Sequence, residues 1–586
     1  MTLRQTFRDE LTYLRLQGRE FARRNPQLAK FLGEKASDPD VERLLEGFAF
    51  LTAKLRLKIE DDFDELTHSL LQLLWPNYLR PTPSMTILRF DPVDRAITER
   101  QVLPKGTAVL SRPVDGVACQ FRTCADLAIH PLCIDSVVDE HTRDRSVVRV
   151  GLRTLSEQDL DRIDCDQLDL HLSGDDTTAL TLYLWTACYL DELRIAVGGE
   201  VRRVPARNIE FPGFAEDDAL LPYPRNVFDG YRILQEYFAF PKRFHYIRIR
   251  GLRSIWPAAA AQTASLQFHY SRPMPDDVRL RNSDITLHCV PAVNLFAHDA
   301  EPIILDGRSN DYPLVPSQGP PHAYEIFSID RVGGSHADGD ERGPTREYTN
   351  FDSFQHEIER ARGRMALYFR ARVGRSPVDE GLRHRIAFMR GDEDAYIGRR
   401  ETISAELTCT NRQLPLALGA GDVCVRTQEV PAYATFTSLT AATPPLRPVL
   451  DGALHWTLIS NLSLNYLSML GPEPLKAVLR AYDFAALHDV QHERRSRRRI
   501  AALGGAKAEP VNRLIKGRPV RGLRTQLELD PEGFLCEGDL YLFGAVLSRF
   551  FSLYASINSF HLLEVKNLGN NETYAWPLQR GEQPVI

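Results

Sequence analysis

No segment of this sequence is apolar enough, for long enough, to cross a bilayer as a helix. The uncharged candidate, Trp456 to Gly471, is broken by Ser460, Asn461, Ser463, Asn465 and Ser468, whereas a span needs about 18 apolar residues in succession. Cys-x-x-Cys is also absent. The nine cysteines (Cys119, Cys124, Cys133, Cys165, Cys188, Cys289, Cys409, Cys424 and Cys536) are odd in number and scattered. That excludes a disulfide framework or a zinc ribbon, and the cysteines read as small buried hydrophobes in a reducing compartment. The local signatures of a P-loop (Gly-x-x-x-x-Gly-Lys-Ser/Thr), a nucleophile elbow (Gly-x-Ser-x-Gly) and a zincin helix (His-Glu-x-x-His) are missing, and Gly419-Ala-Gly421 lacks the third glycine of a dinucleotide loop. These absences predict no cofactor and no metal. They leave open an active site assembled from distant residues. The first ten residues carry charge where a signal peptide needs its apolar stretch, so the chain is expected to be cytoplasmic, with no direct membrane insertion. Charge of one sign is lacking too: 72 Lys+Arg against 78 Asp+Glu leave −6, which argues against a nucleic-acid partner.

What is present is an ordinary globular balance, 43% hydrophobic and 26% charged over 586 residues, long enough for about three to five domains. Residues 1–80 read as a helical region. Asn25-Pro26 and Asp38-Pro39-Asp40 are helix starts. After the second, Val41, Leu44, Leu45, Phe48, Thr52, Leu55 and Ile59 recur at three- and four-residue spacing, while Phe50, Leu51 and Leu57 fall off that stripe. A helix apolar on more than one face packs against more than one neighbour, within this chain or in an intermolecular bundle. The apolar block Leu66–Leu74 stops at Trp75-Pro76, and residues 80–84 read as a linker.

Residues 85–289 read as a β-rich domain of sandwich-like layers. Short apolar runs include 179–184, and one helix carries Tyr231, Leu234, Tyr237 and Phe238 on a shared face. Residues 290–440 continue as a second β-rich domain with long loops, the glycine-rich stretch 333–344 among them, read as mobile. Residues 440–448 form another Pro-rich connection. Residues 450–586 read as a mixed α/β C-terminal domain, with helices over 456–469 and 473–503 and strands near 523–529, 539–543 and 560–566. The fold class expected is α+β.

Two patterns suggest ligands weakly. His488 and His492, four apart on one expected helix, suggest two metal ligands, but no third follows. Asp338 and Asp340 lack the spaced oxygens of a calcium loop. The sharpest charge feature is Arg494-Arg495-Ser-Arg497-Arg498-Arg499. From Arg494 to Arg524 there are eleven Lys/Arg and one acid, Glu509. This reads either as a helix end whose positive charge complements the dipole before Gly504-Gly505, or as a docking surface for an acidic partner. Aromatic residues are absent from 485–533, so a base-stacking platform is not expected.

The tract Asp38–Asp64 resembles the start of the TssF (ImpG/VasA) family of type VI secretion baseplate subunits, as does Leu11–Gly33 before it. Further blocks that resemble the family follow in order: Gly230–Phe244, Leu287–Phe296, Cys409–Pro415 and Trp456–Met469. The likeness runs through nearly the whole chain but omits 333–344 and 494–499. It implies a non-enzymatic building block of a baseplate wedge, two copies of this chain to one TssG. TssK and TssE would join the wedge, which surrounds the VgrG hub and reaches the inner-membrane complex indirectly. The candidate partner-interface residues are Val41, Leu44, Leu45, Phe48 and Leu55, with Arg494, Arg495, Arg497, Arg498 and Arg499. The readings from other classes are a cytosolic β-sandwich hydrolase and a β-rich ligand-binding module.

Overall fold

The computed structural model describes residues 3–24, 39–155, 159–223, 232–256, 261–305, 309–320, 322–338, 341–342, 346–351, 367–376, 381–390, 401–450, 455, 458–459, 472–552, 555–556 and 558–581. The chain forms two compact units. One comprises Met1–Leu79 with Val449–Leu462, the other Arg80–Pro448 with Ser463–Ile586.

The first unit is a helical hairpin. Helices α1 (Leu3–Arg24) and α2 (Pro39–Leu74) run antiparallel, since Phe7 meets Phe50 (ring centroids 6.4 Å apart) while Arg15 pairs with Glu42 at 2.5 Å. The second helix starts at Pro39 with Asp40 and Glu42 in its first turn, where acids complement the dipole. It stops at Leu74, just before Trp75-Pro76. Beyond it Trp75 and Tyr78 are buried, as is Thr67 within its last turns. His455, from the returning segment, lies 4.8 Å from the His68 ring and 5.7 Å from the Tyr78 ring.

The second unit holds the sheets. A six-stranded sheet runs Val423–Val425, Ala108–Val114, Val117–Thr123, Cys289–Val293, Met85–Pro92, Ala434–Ser438. Its core includes Leu88, Phe90, Phe121, Val290 and Phe436. A five-stranded sheet centres on Thr263–Tyr270, where Ala264, Leu266, Phe268 and Tyr270 alternate inward as a half-buried strand requires. A four-stranded sheet contains Tyr246–Arg250. Ile247 and Ile249 are buried there, and Arg248 reaches Asp169 with two hydrogen bonds of 2.9 and 2.8 Å. A nine-stranded sheet is built around Glu325–Asp338 paired with Glu401–Thr410. The last sheet joins Leu503–Ile515, Arg518–Leu529, Phe560–Asn567, Thr573–Ala575 and Gln579–Arg580. Helices α3 (Asp176–Cys188), α4 (Arg232–Ala239), α5 (Pro472–Tyr482), α6 (Phe484–His488), α7 (Val490–Ala501) and α8 (Glu537–Ser552) belong to the same unit. The α+β class holds.

Several local expectations give way to packing. The run 179–184 is the middle of α3, not a strand. Asp175 caps that helix by accepting from Thr178 N at 3.0 Å, and nine consecutive residues are buried, so no periodicity separates buried helix from buried strand. Residues 539–543 are likewise helical, in α8. That helix packs so closely that a Cβ on Gly538 would strike the Leu180 carbonyl, and one on Gly544 the Trp576 ring. The single helix expected over 473–503 is three, broken at Asp483 and Asp489. Each of those carboxylates caps the next helix, from Ala486 N (3.1 Å) and Gln491 N (2.7 Å). Gly504 and Gly505 do not end α7. They sit in the following strand, against Glu528.

The stretch read as mobile at 333–344 is strand through Asp338. Gly333 and Gly334 are buried, and Gly334 leaves room for the Tyr348 ring and for Glu401, which accepts from Tyr348 Oη at 2.9 Å. Residues 339–340 and 343–345 lie outside the described residues, as do the Asn25-Pro26 start and the helix expected over 456–469, apart from 458–459. The linkers at 80–84 and 440–448 are not free. Thr82 and Leu446 form a two-way backbone bridge (2.7 and 2.9 Å), and residues 81–84 are buried.

Six buried histidines mark this unit. Burial pulls His171, His288 and His561 down to about 3, and His130, His245 and His384 down to about 4. His288 Nε2 accepts from His130 N at 3.1 Å, a bond that needs the neutral ring. In the unfolded chain these rings titrate near 6.5. Below that pH the unfolded state binds more protons than the folded one, so stability falls with pH. Each histidine contributes about 1.4 kcal/mol per pH unit between its unfolded and folded values. We expect the β-rich unit to lose stability steeply from pH 6.5 towards pH 4. Urea titrations across that window check it, and a flat midpoint would contradict the neutral-histidine assignment.

Candidate interaction surfaces

Two surfaces contain the sequence-predicted interface residues. On α2 the apolar stripe divides. Ala49 and Ala53 are fully buried, and Val41 and Leu45, at helical spacing from them, are half-buried. Small residues there let the two helices approach. Leu44 is 73% exposed and Phe48 61% exposed, and Leu51 is exposed beside them. Tyr13, Leu16 and Phe21 of α1 are exposed as well. The side chain of Leu55 lies outside the described residues. The helix thus carries two faces: a buried alanine seam, which the strong stripe of larger residues hid in the sequence, and an uncovered face of Leu and Phe. An exposed apolar helix face of this kind marks an interaction site.

The arginine cluster lies on α7, and its members differ in role. Arg499 donates to both carboxylate oxygens of Asp539 (3.0 and 2.7 Å) and its guanidinium lies 5.4 Å from the Tyr237 ring centre. It joins α7 to α8 and α4, and is structural. Arg497 pairs with Glu493 one turn back at 2.8 Å, on the surface. Arg494, Arg495 and Arg498 are exposed and have no acidic partner among the described residues. Arg495 and Arg498 line a cleft of about 1080 Å³, whose other walls include Phe238, Phe534 and residues 440–441 and 443–446.

The cleft also collects His488 and His492, but not as a ligand pair. His488 ends α6 and donates to the Arg447 carbonyl at 2.7 Å, while His492 is on α7 beyond the Asp489 cap. No cluster of three metal-ligating side chains exists among the described residues. Its carboxylates hold structure: Asp539 takes Arg499, Asp176 pairs with Lys242 at 3.2 Å, and Asp483 and Asp489 cap helices. Burial pushes the Asp483 carboxyl up. Glu532 remains, which is one acid and not the pair that glycoside hydrolysis uses.

Sequence reasoning missed a cluster beneath the cleft. Glu236, with no exposed surface, pairs with Arg232 at 3.4 Å and with Arg243, and accepts from Leu220 N at 2.9 Å. Burial and the neighbouring Arg232 pull Arg243 down to about 9. The i,i+4 spacing of Arg232 and Glu236 was the available signal. It reads as a surface pair until the fold buries it.

The family model described as Type VI secretion system, TssF matches residues 1–583. The type VI secretion system component TssF1 of Pseudomonas aeruginosa is 30% identical, over 100% of this chain and 99% of that protein. A chain in the cryo-electron microscopy structure of the type VI secretion system TssK-TssF-TssG baseplate subcomplex is 32% identical, with a TM-score of 0.74 over 92% of this chain and 99% of that one. A chain in the baseplate complex from the type VI secretion system is 29% identical, with a TM-score of 0.66 over the whole of both chains.

The division of the arginines gives a measurable contrast. Arg499→Ala leaves Asp539 buried without its cation and should cost about 3 kcal/mol. Arg497→Ala removes an exposed pair and should cost about 0.5 kcal/mol or less. Urea unfolding of both variants reads the difference directly, and equal costs would refute the structural assignment of Arg499.

Proposed function

This chain belongs to the TssF family of the type VI secretion system, and on that premise we propose how it serves as a structural subunit of the baseplate. It assembles with TssG and TssK, the two subunits that accompany TssF in the matching subcomplex. Its α1–α2 hairpin inserts into an intermolecular helical bundle with TssG. The observation that carries this reading is the uncovered face of Leu44, Phe48 and Leu51 on α2; Tyr13 and Leu16 of α1 are exposed as well. Burying one such Leu or Phe contributes about 1.5–3 kcal/mol, so a handful provides the driving force for a stable helix–helix contact.

Two copies of this chain share one TssG, and TssE, the VgrG hub and, indirectly, the membrane complex complete the setting on the cytoplasmic side. Work is done by position and not by chemistry. Two copies in unlike surroundings need one sequence to fit twice. Because Thr82 and Leu446 are bridged, the adjustment falls where the chain passes between its units, at Leu79–Arg80, Pro448–Val449 and Leu462–Ser463. Triggering is then a rearrangement between rigid bodies.

Phe48→Asp tests this. The residue is exposed, so the variant should fold with an unchanged circular dichroism spectrum yet lose TssG in co-purification by tenfold or more. Leu45→Asp, facing the alanine seam, should instead disturb the hairpin itself, while Arg497→Glu should retain TssG at low and high salt. Normal TssG recovery with Phe48→Asp would overturn the bundle.

A further inference from the structure

The strands Leu503–Ile515 and Arg518–Leu529 form a hairpin that outruns its sheet. The parallel partner Phe560–Asn567 covers only Leu523–Leu529, and residues 511–522 pair with each other alone. About 20 Å of two-stranded ribbon therefore extends past the third strand. The turn is built for it: Lys516 and Gly517 both take positive φ (49° and 77°), the geometry of a two-residue hairpin whose twist matches its strands. An isolated ribbon of this kind has no core of its own. Leu514, near the tip, is 76% exposed, the highest value of any large apolar side chain among the described residues.

The register sorts the side chains. Leu514 faces Pro519, Asn512 faces Arg521 and Pro510 faces Leu523 on one side; Ile515 faces Arg518, Arg513 faces Val520 and Val511 faces Gly522 on the other. Both faces thus mix apolar groups with arginine. Arg513, Lys516, Arg518 and Arg521 have no acidic partner among the described residues, in contrast to Arg524 at the base, which meets Glu564 at 3.4 Å. The tract 494–524 carries eleven basic residues and one acid, +10 in all, on a chain of −6, which leaves −16 for the rest. Pro510 and Pro519 each remove a backbone donor and so oppose the addition of another strand. Contact is left to side chains.

We propose that the 511–522 ribbon is a docking arm for an acidic protein surface on a different subunit of the assembly, its tip inserted in an apolar groove, with Leu514 against one wall and Ile515 against the other, and with carboxylates on the rims that pair with Arg521 on the first face and with Arg513 and Arg518 on the second. A nucleic acid is disfavoured because 485–533 holds no aromatic residue to stack on bases. A ribbon-to-body contact between copies of this chain would be heterologous and would build a ring or a filament, whereas contact with a different subunit stops at one. The inference rests on the assembly reading above only in that its partner comes from that assembly.

The test uses the full chain in cells that express the whole secretion cluster, with Leu514 replaced by the photocrosslinking residue p-benzoylphenylalanine. The expected product is a single adduct with another secretion subunit, mapped by mass spectrometry to a peptide rich in Asp and Glu. Combined Arg513→Glu, Arg518→Glu and Arg521→Glu should lower its yield at least tenfold, with circular dichroism unchanged, and reversing the mapped acids to lysine should restore it. Yield no greater than from the exposed control position Val201, yield indifferent to charge reversal, or an adduct with nucleic acid, phospholipid or a second copy of this chain overturns the proposal. TssG recovered from the same cells separates the two readings: TssG retained without the adduct sinks the arm alone, and TssG lost from the unmutated chain sinks the assembly reading.

Discussion

Glu236 is a carboxylate with no exposed surface, and the second unit is organised around keeping it paired. Arg232 and Arg243 supply its cations, and the backbone amides of Leu220 and Leu221 supply donors at 2.9 and 3.4 Å. Arg232 also donates to the Ala215 carbonyl and Arg243 to the Asp218 carbonyl, so the loop 213–221 is tied to the same point. Removing either arginine leaves an uncompensated buried charge, among the costliest single changes a fold can suffer.

The consequences run outward along α4. Gln235 donates to Thr82, in the bridge that closes the unit at its boundary, at 3.5 Å, and Tyr223 donates to Gln235 at 3.0 Å. Tyr237 donates to Asp539 of α8 at 3.4 Å, and Arg499 of α7 packs over its ring. One eight-residue helix, seven of its residues buried, therefore fixes the bridged connections, the buried α8 and the basic helix in one frame. Rigidity of this kind suits a component whose task is to hold other proteins at fixed positions. It also explains why the ribbon at 511–522 can leave its sheet without a core: the strands' base is clamped beside α5 and α7.

The two proposed contact surfaces differ in physics. The α1–α2 face is apolar and gains by losing water, with little dependence on salt. The ribbon combines a small apolar tip with unpaired cations, so its attraction is long-ranged and salt-sensitive. A subunit carrying both can be steered by one and held by the other.

Residue pattern alone determined the helical N-terminal region, its start at Pro39 and stop at Leu74, the alternating strands such as Tyr246–Arg250, and the family, through blocks such as Gly230–Phe244. Those signals are local: caps, prolines and period-two or period-3.6 burial. The basic tract was visible as composition, but not its division. That Arg499 is structural, Arg497 paired on the surface, and Arg495 and Arg498 open to a cleft follows from where Asp539 and Glu493 lie in space. Helices α3 and α8 read as strands because burial on every side erases periodicity. The glycines at 333–334 read as a mobile loop because the Glu401 and Tyr348 side chains that require them come from other strands. Which half of the α2 stripe is covered was decided by Ala49 and Ala53 meeting α1, since a sequence records apolarity but only a partner's approach turns it into burial.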